Sequence, residues 1–283
     1  MRLTIVHETH YKFAEPANHS IQYLRLMPRQ DSCQRTLSWS VTTAGSVTPW
    51  IDGFGNNVHV STIDESHDEI KVVVEGIVET VDTVGVLHAR DGLPPQLFLR
   101  DTPMTETGDN ITKLVSVAKS TLDEGPLPAL HALSAAISDN VGYQPGATTT
   151  ETTAEQAIAS GSGVCQDHAH IMISGARALG IPARYVSGYI LAGQGNDSHV
   201  ASHAWAEAYV DGLGWVSFDP TNRQSATEEY VRLAIGFDYP STAPVRGSRY
   251  GGGVEEMSVK VQVEQTQSYT YLQSVNPILC RSI

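Results

Sequence analysis

The sequence predicts an α+β protein, with a β-rich N-terminal region ahead of a core in which one long helix packs on an antiparallel sheet. Three observations predict it. Short runs of β-branched and aromatic residues, separated by turn signals, fill roughly the first 90 positions. Helical periodicity then takes over, ending in a stretch that closes at Gly180 and Pro182. After it the period returns to two, through three closely spaced strands. The composition is that of a folded chain, at 41% hydrophobic and 17% charged residues, which excludes disorder and coiled coil.

In order, residues 4–6, 21–26, 37–41 and 70–74 are expected strands, with a turn at Asp52-Gly-Phe-Gly-Asn-Asn. Asp109 is the expected N-cap of a helix whose apolar face is Ile111, Leu114, Val115 and Ala118. Pro126 and Pro128 interrupt, and Leu130, Leu133 and Ile137 mark a short second helix. A threonine-rich loop, 148–153, precedes a short helix over 154–159. Gly161-Ser-Gly-Val then leads into Cys165 and a longer helix with Ala169, Met172, Ile173 and Ala176 on one face. Strands follow at 185–191, 203–210 and 215–218, the first two joined by a Gly/Asn/Asp-rich connection at 192–198. Residues 246–253 are expected to be a loop, and 257–264 a strand with one buried face that could return to either sheet. The expected divisions are a β-rich region at 1–95, a core at 96–245, and a loop plus returning strand at 246–283.

The formal charge of −13 repels phosphate backbones, so nucleic acid is not an expected partner. No long apolar run suggests a membrane span, and the polar start of the chain does not resemble a signal peptide, so a cytoplasmic location is expected. Three widely spaced cysteines, Cys33, Cys165 and Cys280, do not form a disulfide framework or a C-x-x-C site. Cys33 and Cys280 have no visible partners.

Cys165 lies where a Gly-rich turn meets a helix start. Unsatisfied N–H groups and the helix dipole converge there and favour a thiolate, the nucleophilic form. The same N–H groups can stabilise an oxyanion. Alternation on the second core strand puts His203, Trp205, Glu207 and Tyr209 on one face, expected to wall a cleft. Ala204, Ala206, Ala208 and Val210 face the other way, where a helix can pack closely. Asp219 ends the next strand, and the turn at Asp211-Gly-Leu-Gly makes a hairpin that can set it beside His203. A carboxylate there holds an imidazole in the tautomer and orientation of a general base. Taken singly, each has a plainer explanation: a buried thiol, a surface histidine, a turn-capping aspartate.

Four motifs in order, Gly163-Val-Cys-Gln-Asp, Gly180-Ile-Pro-Ala-Arg-Tyr-Val-Ser-Gly-Tyr, Ser202-His-Ala-Trp-Ala-Glu-Ala-Tyr and Gly214-Trp-Val-Ser-Phe-Asp-Pro-Thr-Asn, resemble the transglutaminase-like superfamily. The β-rich start and the stretch from Arg232 through Gly253 resemble its bacterial branch, so the likeness covers most of the chain. The resemblance implies a papain-like transglutaminase core and a Cys165–His203–Asp219 triad. It also implies a thioester formed from a peptide or protein amide. Water resolving that thioester makes a peptidase or amidase, and an amine makes a transglutaminase. Trp205, Gln144, Tyr143 and His168 are the substrate-side candidates, Gln144 and Tyr143 as possible second oxyanion donors. His168 departs from the aromatic residue expected in the branch, and either tunes the thiolate or is a polar replacement pointing elsewhere. No cofactor is required.

Two rivals remain. A metal could gather Cys165, His168 and His203, with His199 nearby, although His168 and His170 point about 200° apart on a helix and cannot share one ion. A non-catalytic binding module with the same fold is the other; the presence of all three triad residues argues against it.

Overall fold

A computed structural model describes residues 1–88, 92–191 and 201–266. The expected connection at 192–198, His199 and Cys280 lie outside the described residues. The N-terminal strands are β1 (Arg2–Leu24), β2 (Gln34–Thr42), β3 (Ser46–Ile51), β4 (Asn57–Ile63) and β5 (His67–Thr80). Next come β6 (Val86–Leu87), α1 (Asp109–Lys119), α2 (Pro126–Asn140), β7 (Gly142–Tyr143), α3 (Ala154–Ser160), β8 (Ser162–Gly163) and α4 (Cys165–Ala178). The chain continues through β9 (Ala183–Ile190), β10 (Ser202–Val210), β11 (Gly214–Phe218), β12 (Tyr230–Gly236), α5 (Tyr239–Thr242), β13 (Val245–Gly251) and β14 (Glu255–Gln265).

Two antiparallel sheets organise the molecule. The first runs β2-β5-β1-β4-β3, and β1 is also flanked by β13 and β14. Its order follows from β1 being one long ribbon: residues 3–13 pair with β14, and residues 20–24 pair with β4 and β13. The second sheet is β12-β9-β10-β11-β6. Strands therefore cross the expected divisions at 95 and 245, since β6 belongs to the core sheet and β13 to the N-terminal one. The expected loop at 246–253 is corrected accordingly: residues 245–251 pair with β1. β14 returns to the N-terminal sheet, but its face is not buried; Val261 is, while Met257 and Val259 stay exposed.

The helices start as their sequences allow. Pro126 does not interrupt α2 but opens it, at a position whose N–H has no helical partner anyway. Gly108, not Asp109, is the N-cap of α1. The missing cap oxygen comes from Glu155, whose carboxylate accepts the N–H groups of Asn110 and Ile111. Thr153 and Gln156 form a reciprocal capping box on α3. The small face of β10 packs as expected, with Ala204, Ala206, Ala208 and Val210 in one cluster with Ala169, Met172, Ile173 and Ala176 of α4.

The opposite face of β10 is not a cleft wall. Trp205 and Glu207 are fully buried there because the N-terminal region covers that side of the core sheet. Phe54 packs with Trp205, Tyr230 and Ile235. Two N-terminal side-chain amides also take the place of a further strand along β12. Gln34 bonds the N–H and C=O of Arg232, and Asn56 those of Ile235, at 2.7–2.9 Å. This satisfies a sheet edge that would otherwise be open.

Gly188 in β9 marks the tightest approach in this layer. A Cβ there would lie 2.1 Å from the Val231 carbonyl oxygen and 2.7 Å from the Trp205 ring. Gly188→Ala is expected to lose about 1–3 kcal/mol of stability, as an overpacked core does. Urea unfolding checks it; an unchanged midpoint would mean that β9 and β12 separate freely.

Candidate active site

Cys165 is the first residue of α4, preceded by Val164 in extended conformation. The turn before it is built by two close approaches. β8 pairs in parallel with β7, and the Gln144 N–H donates to the Gly163 carbonyl at 2.8 Å. Gly163 is needed because a Cβ would lie 2.8 Å from the Asp167 side chain. Asp167 folds back to accept the Val164 N–H at 2.7 Å and the Thr148 hydroxyl at 2.6 Å. Burial pushes its carboxyl pKa up, and these two bonds only partly offset that. The Cys165 turn and the threonine-rich loop are thus tied together. The backbone N–H of Cys165, at the helix start, has no i−4 carbonyl to bond.

The β10–β11 hairpin pairs Ala206 with Phe218 and places the next residue, Asp219, beside His203. His203 Nε2 donates to Asp219 Oδ2 at 2.6 Å. Cys165 lies within electrostatic reach of the same ring, and with Nε2 committed to Asp219, Nδ1 is the ring nitrogen left to meet the sulfur. The ring is held in plane by Trp205, stacked at 6.1 Å and 24°, and by Tyr230, edge-on at 5.9 Å. Burial disfavours the imidazolium, but the bond to Asp219 and the nearby Cys165 prevail and push the His203 pKa up to about 10.

Asp219 does two jobs at once. Its Oδ1 accepts the N–H groups of Thr221 and Asn222, making the turn-capping motif that its plainer explanation required. Its Oδ2 accepts from His203, from the Tyr230 hydroxyl at 2.7 Å and from Asn222 Nδ2 at 2.8 Å. Burial opposes its charge, and these donors hold its pKa below the usual carboxylate value.

The four substrate-side candidates fare differently. Tyr143, on the short strand beside residues 162–163, and Gln144, just after it, are exposed, so the parallel pairing brings them to the Cys165 turn that sequence spacing left unconnected. Trp205 is 0% exposed; it braces the imidazole from within and cannot line an open cleft. His168 is also corrected. Both its nitrogens are committed inside the fold, Nδ1 to the Thr221 hydroxyl at 2.8 Å and Nε2 to the Val141 carbonyl at 3.1 Å. The carbonyl requires Nε2 to donate; burial lowers the pKa and favours the neutral ring, whose Nδ1 then accepts from the Thr221 hydroxyl. His168 fastens α4 to the Asp219 turn. Among the described residues, no group of three or more His, Cys, Asp or Glu side chains is arranged to hold a metal, and no helix is long and apolar enough to cross a membrane.

Residues 115–220 match the transglutaminase-like superfamily, and residues 3–79 match the bacterial transglutaminase-like N-terminal region. An uncharacterized Mycobacterium leprae protein is 30% identical, with 93% of this chain and 98% of that protein aligned. The chain belongs to the transglutaminase-like superfamily. This family member shares its fold with a Cytophaga hutchinsonii protein provisionally named a cysteine protease: TM-score 0.72 at 23% identity, covering 94% of this chain and 92% of the other. A Pseudomonas aeruginosa protein-glutamine gamma-glutamyltransferase is 32% identical over 142 residues, which is 43% of this chain and 21% of that protein. The transglutaminase-like match includes Cys165, His203 and Asp219, the residues that the hairpin and the α4 turn bring together.

Tyr230, Asn222, Thr221, Asp167 and Thr148 were not singled out from the sequence. Asn222 and Thr221 lie inside the Asp-Pro-Thr-Asn turn, where an aspartate two residues ahead signals them. Tyr230 left no local signal, since β12 meets Asp219 only through the fold.

Proposed function

We propose that the protein is a cysteine-dependent acyl-transfer enzyme acting on amide bonds of peptides or proteins. The observation that carries this reading is His203, bonded at 2.6 Å to the anchored Asp219 carboxylate and within electrostatic reach of Cys165 at the start of α4. His203 takes the proton from Cys165, and the sulfur attacks the amide carbonyl. The Cys165 N–H meets the oxyanion, with the Gln144 or Tyr143 side chain as second donor. Collapse breaks the C–N bond; the amine leaves with the proton from His203, and the acyl group remains as a thioester. Water or a second amine, deprotonated by His203, then releases it. The likeness to a protein-glutamine gamma-glutamyltransferase supports an amine as one acceptor.

Iodoacetamide tests the reading without a substrate, because it alkylates thiolates. At pH 6, Cys165 is expected to react at least about tenfold faster than Cys33, whose pKa burial pushes up to about 11. His203→Ala is expected to abolish the difference, followed by mass spectrometry of each cysteine peptide. Equal rates for the two thiols in the wild type would favour a binding module on the same fold.

A further inference from the structure

We propose that Tyr230 is a positioning residue for the acyl-transfer reaction: its hydroxyl shares one oxygen of Asp219 with His203 and so loosens the carboxylate's hold on the imidazole proton. The inference rests on the reading above and deepens it, because the proton that His203 takes from Cys165 has to pass on to the leaving amine. A carboxylate that gripped the imidazolium alone would slow that second transfer.

Three donors meet on Asp219 Oδ2: His203 Nε2 at 2.6 Å, the Tyr230 hydroxyl at 2.7 Å and Asn222 Nδ2 at 2.8 Å. A carboxylate oxygen offers about two lone-pair sites, so the three compete. Oδ1 cannot relieve them, since it is taken by the N–H groups of Thr221 and Asn222. The direction of the phenol's bond is fixed from behind. Gln224 Nε2 donates to the Tyr230 oxygen at 2.9 Å, and an amide nitrogen only donates, so the phenol's single proton goes to Asp219. Burial first, and then the Asp219 charge, raise the pKa of the phenol, which keeps that proton.

The ring is held as firmly as the hydroxyl. Tyr230 is 4% exposed at the start of β12 and lies edge-on to His203 at 5.9 Å and to Trp205 at 5.2 Å. Phe54 of the N-terminal region packs against the same cluster. Asn222, by contrast, is exposed and can turn its amide to water. From α4, Cys165 and the neutral His168 face the His203–Asp219 pair; farther along β10 and β12, Glu207 and Arg232 are bonded to each other. The Tyr230 hydroxyl is thus the buried neutral donor that sets how much of Oδ2 is left for His203.

The test uses the full-length protein, with iodoacetamide as probe and Cys33 as internal reference. Tyr230→Phe removes the donor, so Asp219 holds the imidazolium more firmly and the thiolate beside it persists further into acid. On the acid limb of its pH profile, Cys165 is expected to alkylate at least about threefold faster than in wild type, a fraction of what a hydrogen bond to a charged group supplies. The fluorinated analogue 3,5-difluorotyrosine at position 230, installed by nonsense suppression, keeps the ring and donates more strongly. It is expected to slow Cys165 on the same limb. The Nε2 proton of His203, followed by NMR, is expected downfield of its wild-type position in Tyr230→Phe and upfield with the analogue. A residue that only filled space would leave the analogue like wild type, and one that only stiffened the site would make Cys165 slower in Tyr230→Phe. Either result, or three identical profiles, overturns the proposal. A wild type whose Cys165 reacts no faster than Cys33 overturns the acyl-transfer reading itself, and the proposal with it, so the two failures are told apart before the variants are compared.

Discussion

Glu207→Gln is expected to destabilise the protein by about 3–5 kcal/mol, the cost of breaking a buried ion pair from one side. Glu207 is fully buried between two guanidinium groups. Arg184 reaches its Oε2 at 2.7 Å, and Arg232 reaches Oε1 at 2.8 Å and Oε2 at 3.0 Å. Asp31, from the N-terminal region, holds the far side of Arg232. Arg184 also lies 3.8 Å over the Trp215 ring, so it has no room to swing out to water. A neutral amide removes the charge that Arg184 and Arg232 share, while Asp31 is already divided between Arg232 and the buried Arg29. Whole domains are stable by only about 5–15 kcal/mol, so the loss takes a large share. Urea unfolding measures it; a loss below about 1 kcal/mol would show that Asp31 alone balances both arginines. The pH dependence has a definite sign. Burial works against the charge of Glu207, but the two arginines outweigh it and lower its pKa. That stabilisation is complete above the ordinary value of 4.5 and is lost only as pH falls through the lower folded value.

Asp219→Asn is expected to reduce amide turnover by on the order of 10⁴-fold, the scale seen when an imidazole loses its orienting carboxylate. Oδ2 accepts from His203, Tyr230 and Asn222 together, and an amide at that position cannot accept from all of them with both of its ends. His203 should then titrate well below about 10, followed by NMR of the imidazole. Because folding raises this histidine's pKa, the stability it lends is fully present below 6.5 and is lost as pH rises through about 10. Unfolding at pH 6, 8 and 10 should therefore show an alkaline loss in the wild type and a smaller one in the variant. An unshifted His203 titration would mean that Cys165, rather than Asp219, sets its protonation.

The sequence made the reacting groups legible because each sits at a punctuation mark. Cys165 follows a glycine turn into a helix, and His203 and Asp219 close the open end of a short hairpin. Local rules also located the helix and the small-residue face of β10 that packs on it. What covers a face is not a local property. Alternation showed that Trp205 and Glu207 point the same way, but not that Phe54 and the Arg29–Asp31–Gln34 segment lie on top of them. β12 went unmarked since a strand buried on both faces has no alternation to show. His168 looked reactive from its spacing to Cys165; its partners, Val141 and Thr221, lie 27 and 53 residues away. The exposed outer side of β14 follows from its place beside β1, which strand periodicity does not encode.

The long first strand has a consequence for synthesis. Leu3 of β1 is made long before its partner across β1–β14, Gln265. β1 can zip to β5 early, yet its other side waits for β13 and β14, contacts of the high sequence separation that slows folding. Every residue that sets Cys165 beside His203 and Asp219 precedes β13, so the core sheet can close around these three side chains while the first strand is still waiting for its last two partners.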